Sequence, residues 1–242
     1  MLLDNLKLNL CYSNNELLIN CDNNLDDNFI NRMINRFSER KSNLECFFEK
    51  KDGRKVVINL FCNYSFFIEY VKEFMSVSSY CTGAICNGEI CCYIDSNKLN
   101  DFGKTGYMIA TIIHEYVHSY YKNILHGNEE IWLEEGIATF FSGQKGAHED
   151  LERYKLFLNK MKEMEIPKLE YLKRRGSNYG EFCDQETNKY NGYDFSYLVI
   201  KALIEEEGND YLKEIVTDKN KLELFETKME VFIKEYLDKK VT

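Results

Sequence analysis

The sequence predicts an α+β fold, with a small sheet built early in the chain and helices filling the rest. Two observations carry this expectation. Strand and hairpin signals concentrate before residue 95, and apolar stripes of helical period dominate after residue 105. The two element types therefore do not alternate, which argues against an α/β fold. The chain has 242 residues, enough to bury a substantial core, with one proline (Pro167) and no low-complexity linker or internal repeat.

The elements follow in order. The first 20 residues read as one or two short strands around an Asn-Asn turn. Residues 25–41 carry Phe29, Ile30, Met33, Ile34 and Phe37 at helical spacing after an Asp-rich start. "LECFFEKKDGRKVVINLFC" reads as two strands joined at Asp52-Gly53. "FFIEYVKEFM" is a short helix, and "TGAICNGEICCYID" a second hairpin turning at Asn87-Gly88. From Thr105 to about Leu125 the pattern is helical and strongly apolar. "IWLEEGIATFFSG" is another apolar helix, ending at Gly143. Residues 148–164 form an amphipathic helix, 168–192 are polar and irregular, and "YDFSYLVIKALIEEEG" is a helix closed by Gly208. The last 30 residues are helical. The organisation is one compact unit with an α+β part over residues 1–143 and a helical part over 144–242. Any boundary falls between 143 and 168.

A net charge of −9 argues against a general nucleic-acid binder, because phosphate contacts need a basic face. No apolar run approaches the roughly 20 residues of a membrane span. The N-terminus lacks the charged and apolar segments of a signal peptide, so the expected location is the cytoplasm. Nine cysteines then imply free thiols rather than a disulfide framework. Cys81, Cys86, Cys91 and Cys92 are spaced C-x4-C-x4-C-C, unlike paired C-x-x-C ligands. They read as small apolar residues of a hairpin.

The chemistry concentrates in "TIIHEYVHSYYKN". On a helix, His114 and His118 share one face a turn apart and can bring two imidazole nitrogens to one cation. Glu115 stands beside them and can act as general base on water activated there. With only 4 histidines in the chain, this pattern arises by chance in under about one sequence in a hundred. The bland reading is a helix with two satisfied histidines. The apolar flanks Ile112, Ile113, Tyr116 and Val117 count against it, since a buried pair of histidines and a glutamate is costly without partners. A hydrolytic zinc site wants a third protein ligand. A histidine six residues past His118 is ruled out, because Ile124 sits there, and His126 is too far along. Glu134 and Glu135 remain, on a helix that the intervening loop of about nine residues can fold back.

Together "HEYVH", "WLEEGIATFFSG" and "YDFSYLVIKALIEEEG" resemble the gluzincin metallopeptidases, in particular peptidase MA-like domains and the catalytic core of bacterial collagenases. The resemblance is strong over residues 111–143 and looser across about 55–208. It implies a zincin-like fold, a small twisted sheet ahead of the active-site helix. It also implies Zn2+ held by His114, His118 and Glu135, with Glu115 as catalytic base. It makes Tyr193 the candidate hydroxyl for the developing oxyanion, with Tyr190 and Tyr197 as rivals. It assigns residues 84–94 as the edge strand that pairs with an extended peptide or protein substrate. The sequence departs from the family at Thr139. An acidic residue usually stands there and accepts a hydrogen bond from a zinc-bound histidine; Glu129 or Glu130 are possible substitutes. The expected activity is that of a zinc metallopeptidase. The alternative is a zincin-fold binding or regulatory module that no longer turns over.

Overall fold

Residues 8–23, 25–76, 81–144, 151–173, 182–183 and 189–241 are described by a computed structural model of the chain. The expectations for residues 1–7, for 148–150 and for most of the polar stretch after Lys173 lie outside these. The fold is α+β, with a five-stranded mixed sheet followed by helices. The chain divides into two units, Met1–Tyr120 and Tyr121–Thr242. The division falls at the end of the long apolar helix, upstream of the 143–168 interval expected from sequence.

In the first unit, β1 (Asn9–Ser13) and β2 (Leu17–Cys21) form the antiparallel pair around Asn14 and Asn15. The Asn14 side chain accepts from the backbone of Glu16 and Leu17 and so closes the turn. Helix α1 (Asp27–Phe48) starts where the Asp26 carboxylate accepts from the Asn28 N–H. It runs well past residue 41, so the expected first strand of the "LECFF" hairpin does not form. Leu44 and Phe48 continue the buried stripe of Phe29, Met33 and Phe37, with the stems of Arg40 and Lys41 filling the turn between. Only the second half of that stretch is a strand, β3 (Val56–Phe61).

Helix α2 (Tyr64–Lys72) follows, then β4 (Gly83–Cys86) and β5 (Glu89–Tyr93), whose turn residues Asn87 and Gly88 have φ of 52° and 82°. The strand order is β1-β2-β3-β5-β4. The β2–β3 and β3–β5 pairs are parallel and β4 lies antiparallel on the edge. The expected edge strand over 84–94 is thus two strands, of which β4 alone is the edge. Phe67 and Val71 of α2 pack with Phe61, Ala84, Cys86 and Cys91. On the other side of β4 and β5 lies α3 (Phe102–Tyr120), which also packs against α1. Cys86 and Cys91 act as the small apolar residues the sequence suggested, and all nine cysteines are free thiols.

The second unit opens with a π turn, Tyr121–Leu125. Helices α4 (Ile131–Ser142), α5 (Leu151–Glu163), α6 (Leu169–Lys173), α7 (Gly192–Glu206), α8 (Asn209–Thr217), α9 (Lys219–Glu226) and α10 (Met229–Lys240) complete it. Asp218 and Lys228 break the C-terminal helical stretch into three. Helices α4 and α7 pack tightly because Gly136 lets the backbones meet: a Cβ there would lie 2.6 Å from the Ser196 carbonyl oxygen. No helix among the described residues is long and apolar enough to cross a membrane.

Candidate metal centre

Helix α3 is fixed from its apolar side. Thr105 donates to the Leu99 carbonyl at 2.8 Å near its start. Ile109, Ile112, Ile113 and Val117 are buried, and Tyr116 meets Phe37 ring to ring at 4.8 Å. At its end Tyr120 donates to the Lys50 carbonyl at 2.6 Å. Beneath this lies a charged network. The Asp52 carboxylate accepts from Arg54 Nε at 2.8 Å, Arg54 Nη2 at 2.7 Å and the Arg54 backbone at 3.1 Å. Burial pushes the Asp52 carboxyl up, but the hydrogen bonds from Arg54 outweigh it and hold it below the usual carboxylate range.

The anchored helix presents His114 and His118 together. Both are buried, their Nε2 atoms are 2.9 Å apart, and their rings meet at 77°. Helix α4 carries Glu135, and its neighbours are committed elsewhere. The Glu134 carboxylate is buried against Lys122 Nζ at 2.9 Å. Trp132 Nε1 donates to Glu226 Oε1 at 2.9 Å, and Glu226 pairs with Lys173 at 2.5 Å. Of the two glutamates the motif left open, Glu135 is the one that joins the histidines. The ligand atoms of His114, His118 and Glu135 all lie within 4.8 Å of one another.

These residues can hold a metal ion. Two neutral imidazoles and one carboxylate are the donor set of a three-ligand hydrolytic site. Ligands 2.0–2.1 Å from a tetrahedral ion stand about 3.3 Å apart, close to the His114–His118 spacing. Burial of both rings adds to the fit, since paired buried imidazoles gain most from a shared cation.

Glu115 is half-buried, with its carboxylate against the backbone of Gly83 at the start of β4. Tyr193 lies in the first turn of α7, edge-on to Phe182 at 5.1 Å. Its rivals sit in aromatic packing, Tyr190 stacked on Tyr171 at 6.5 Å and Tyr197 against Phe157 at 5.4 Å. Thr139 is fully buried, and its hydroxyl has no hydrogen-bond partner among the described residues. Glu130 stands at the N-cap position of α4, without a side-chain capping bond, and its carboxylate lies 3.7 Å from Lys173.

Motif reading did not reach two residues. Gly83 has a weak signal, a glycine inside a strand pattern, which marks close approach of another group. Glu226 has none, because its link to Trp132 spans 94 residues. No family model matches the chain, and a search of the curated proteins finds no match.

Proposed function

We propose that the protein is a zinc-dependent metallopeptidase of the gluzincin kind. The observation that supports this best is the meeting of His114, His118 and Glu135 on one point, with the Glu115 carboxylate one residue from the first histidine. Zn2+ held there would polarise a peptide carbonyl and acidify water. Glu115 would take the proton of the attacking water as its oxygen adds to the carbonyl carbon. It would then pass that proton to the leaving amine nitrogen as the C–N bond breaks. Tyr193 would donate to the oxyanion.

The edge position of β4 supports an extended peptide or protein substrate, added as a further strand by backbone pairing. Nine free thiols suit a reducing compartment, which supports the cytoplasm.

The test is metal stoichiometry on the purified protein, followed by casein or a peptide library with and without chelator. Chelator-sensitive cleavage is expected. Glu115→Gln should keep the metal and lose turnover; turnover that survives it removes the mechanism. The second reading is a zincin-fold binding module without turnover. It is favoured by Thr139, a neutral hydroxyl at the family's acidic position, and would show as bound zinc with no cleavage at all.

A further inference from the structure

Glycine weakens a strand relative to alanine, so a glycine inside a sheet has a physical reason for its presence. Gly83 opens the edge strand β4. Its φ is outside the left-handed region, so the backbone there would suit any residue. What glycine supplies is space. A Cβ on Gly83 would lie 2.7 Å from Glu115 Oε1, 2.9 Å from its Cγ and 3.1 Å from its Cδ, and these are the three nearest atoms.

The strand is held on that spot. Gly83 faces Cys92 across the β4–β5 ladder, and Tyr93 N–H donates to the Thr82 carbonyl at 2.9 Å. The Cys81 thiol donates to the Gly83 carbonyl at 3.1 Å. Burial, and then the charge of Glu115, push that thiol up to about 11, which keeps the proton it donates.

We propose that Gly83 is a positioning residue for Glu115: the bare backbone of β4 is the wall against which the carboxylate rests, and it sets where that carboxylate stands beside the two histidines. This rests on the peptidase reading for its importance to catalysis, but the contact itself does not. The atoms a new methyl group would strike, Oε1 and Cγ, belong to one flexible side chain and not to backbone. Gly83→Ala should therefore move Glu115 rather than break the sheet.

The experiment takes Gly83→Ala, Glu115→Asp and the double variant in the full chain. In a crystal structure of metal-free Gly83→Ala, the Glu115 carboxylate should be displaced by about an ångström with β4 unmoved, the scale of misplacement that costs about 100-fold in rate. Zinc stoichiometry should be unchanged. In hydrolysis, kcat should fall about 100-fold with KM unchanged. In the Glu115→Asp background, where the carboxylate is one methylene shorter, the same glycine change should cost less than 10-fold. A carboxylate found in its original place, a loss confined to KM, or an equal fall in both backgrounds overturns the proposal. If Gly83→Ala does not fold, Gly83→Ala with Glu115→Ala should restore folding, and failure to do so also overturns it. A wild-type protein that cleaves nothing defeats the peptidase reading, while the displaced carboxylate still decides the role of Gly83.

Discussion

The Nε2 atoms of His114 and His118 stand 2.9 Å apart on rings inclined at 77°, both buried on one helix face. Two ring nitrogens at that distance either share one proton or share one cation. A cation with Glu135 as third ligand makes distinct demands.

The protein should bind one zinc ion per chain. His118→Ala should abolish binding. Glu135→Gln should weaken it by more than the roughly 10–100-fold typical of losing an outer-shell partner. At a free metal concentration 100 times Kd, the ion adds about 2.7 kcal/mol of stability, so chelation should lower the melting temperature by several degrees. Competition titration with a chromophoric chelator reads the affinity. Unchanged affinity in Glu135→Gln would remove Glu135 from the site.

Trp132, the single tryptophan, precedes Glu135 by three residues on α4 and donates its indole N–H to the buried Glu226, which Lys173 neutralises. The carboxylate thus holds the helix that carries Glu135. Glu226→Ala leaves the buried indole N–H without its acceptor, while the half-buried Lys173 keeps Glu130, and should cost about 1–3 kcal/mol. Glu226→Gln keeps an acceptor for Trp132 and should cost clearly less. Urea melts followed by Trp132 fluorescence measure both. Zinc affinity should drop in Glu226→Ala and recover in Glu226→Gln. Equal stability and affinity across the three proteins would show that the network does not hold α4.

How much of this was legible in the sequence depends on the range of each interaction. His114, Glu115 and His118 follow from i, i+4 geometry on one helix, and the Asn87-Gly88 hairpin from its own two residues. The full length of α1 is not legible, because Arg40 and Lys41 interrupt the apolar pattern, although their stems are buried and the stripe resumes at Leu44 and Phe48. Asp52-Gly53 looked like a hairpin turn, but the Asp52 carboxylate is spent on Arg54 and the Asp52 N–H on Glu45. The choice of Glu135 over Glu134 needed the family pattern, since only the fold shows Glu134 taken by Lys122. Gly83 leaves only the weak local signal of a glycine in a strand, and Glu226, acting across 94 residues, leaves none.

Thr139 separates two contributions. Its hydroxyl is buried without a hydrogen-bond partner among the described residues, one turn beyond Glu135. Thr139→Val keeps the shape and removes an unsatisfied group, so the metal-free protein should be as stable or more stable, by up to about 1 kcal/mol. If the hydroxyl supports a ligand in the loaded protein, zinc affinity should fall about 10-fold at the same time. Calorimetric melting and zinc titration of the same variant test the two parts separately. A large loss of metal-free stability would mean that the hydroxyl has a partner after all.

Asp52 should set the acid limit of the first unit. Its carboxyl is held below the ordinary carboxylate value in the fold, while in the unfolded chain it titrates near 3.9. A depressed folded value means that the contribution is complete above about pH 4. It is lost as the pH falls through the folded value below that. Asp52→Asn removes the charge that Arg54 and Lys41 face. The variant should be clearly less stable than wild type at pH 7, and the difference should close as the pH is lowered below 4. Urea melts of the metal-free proteins at pH 7, 4 and 2.5 measure this; chelation keeps metal loss out of the comparison, and histidine protonation is common to both proteins and cancels in their difference. A gap between the two proteins that stays constant across the three pH values would mean that packing, not the ionised carboxylate, is what Asp52 contributes.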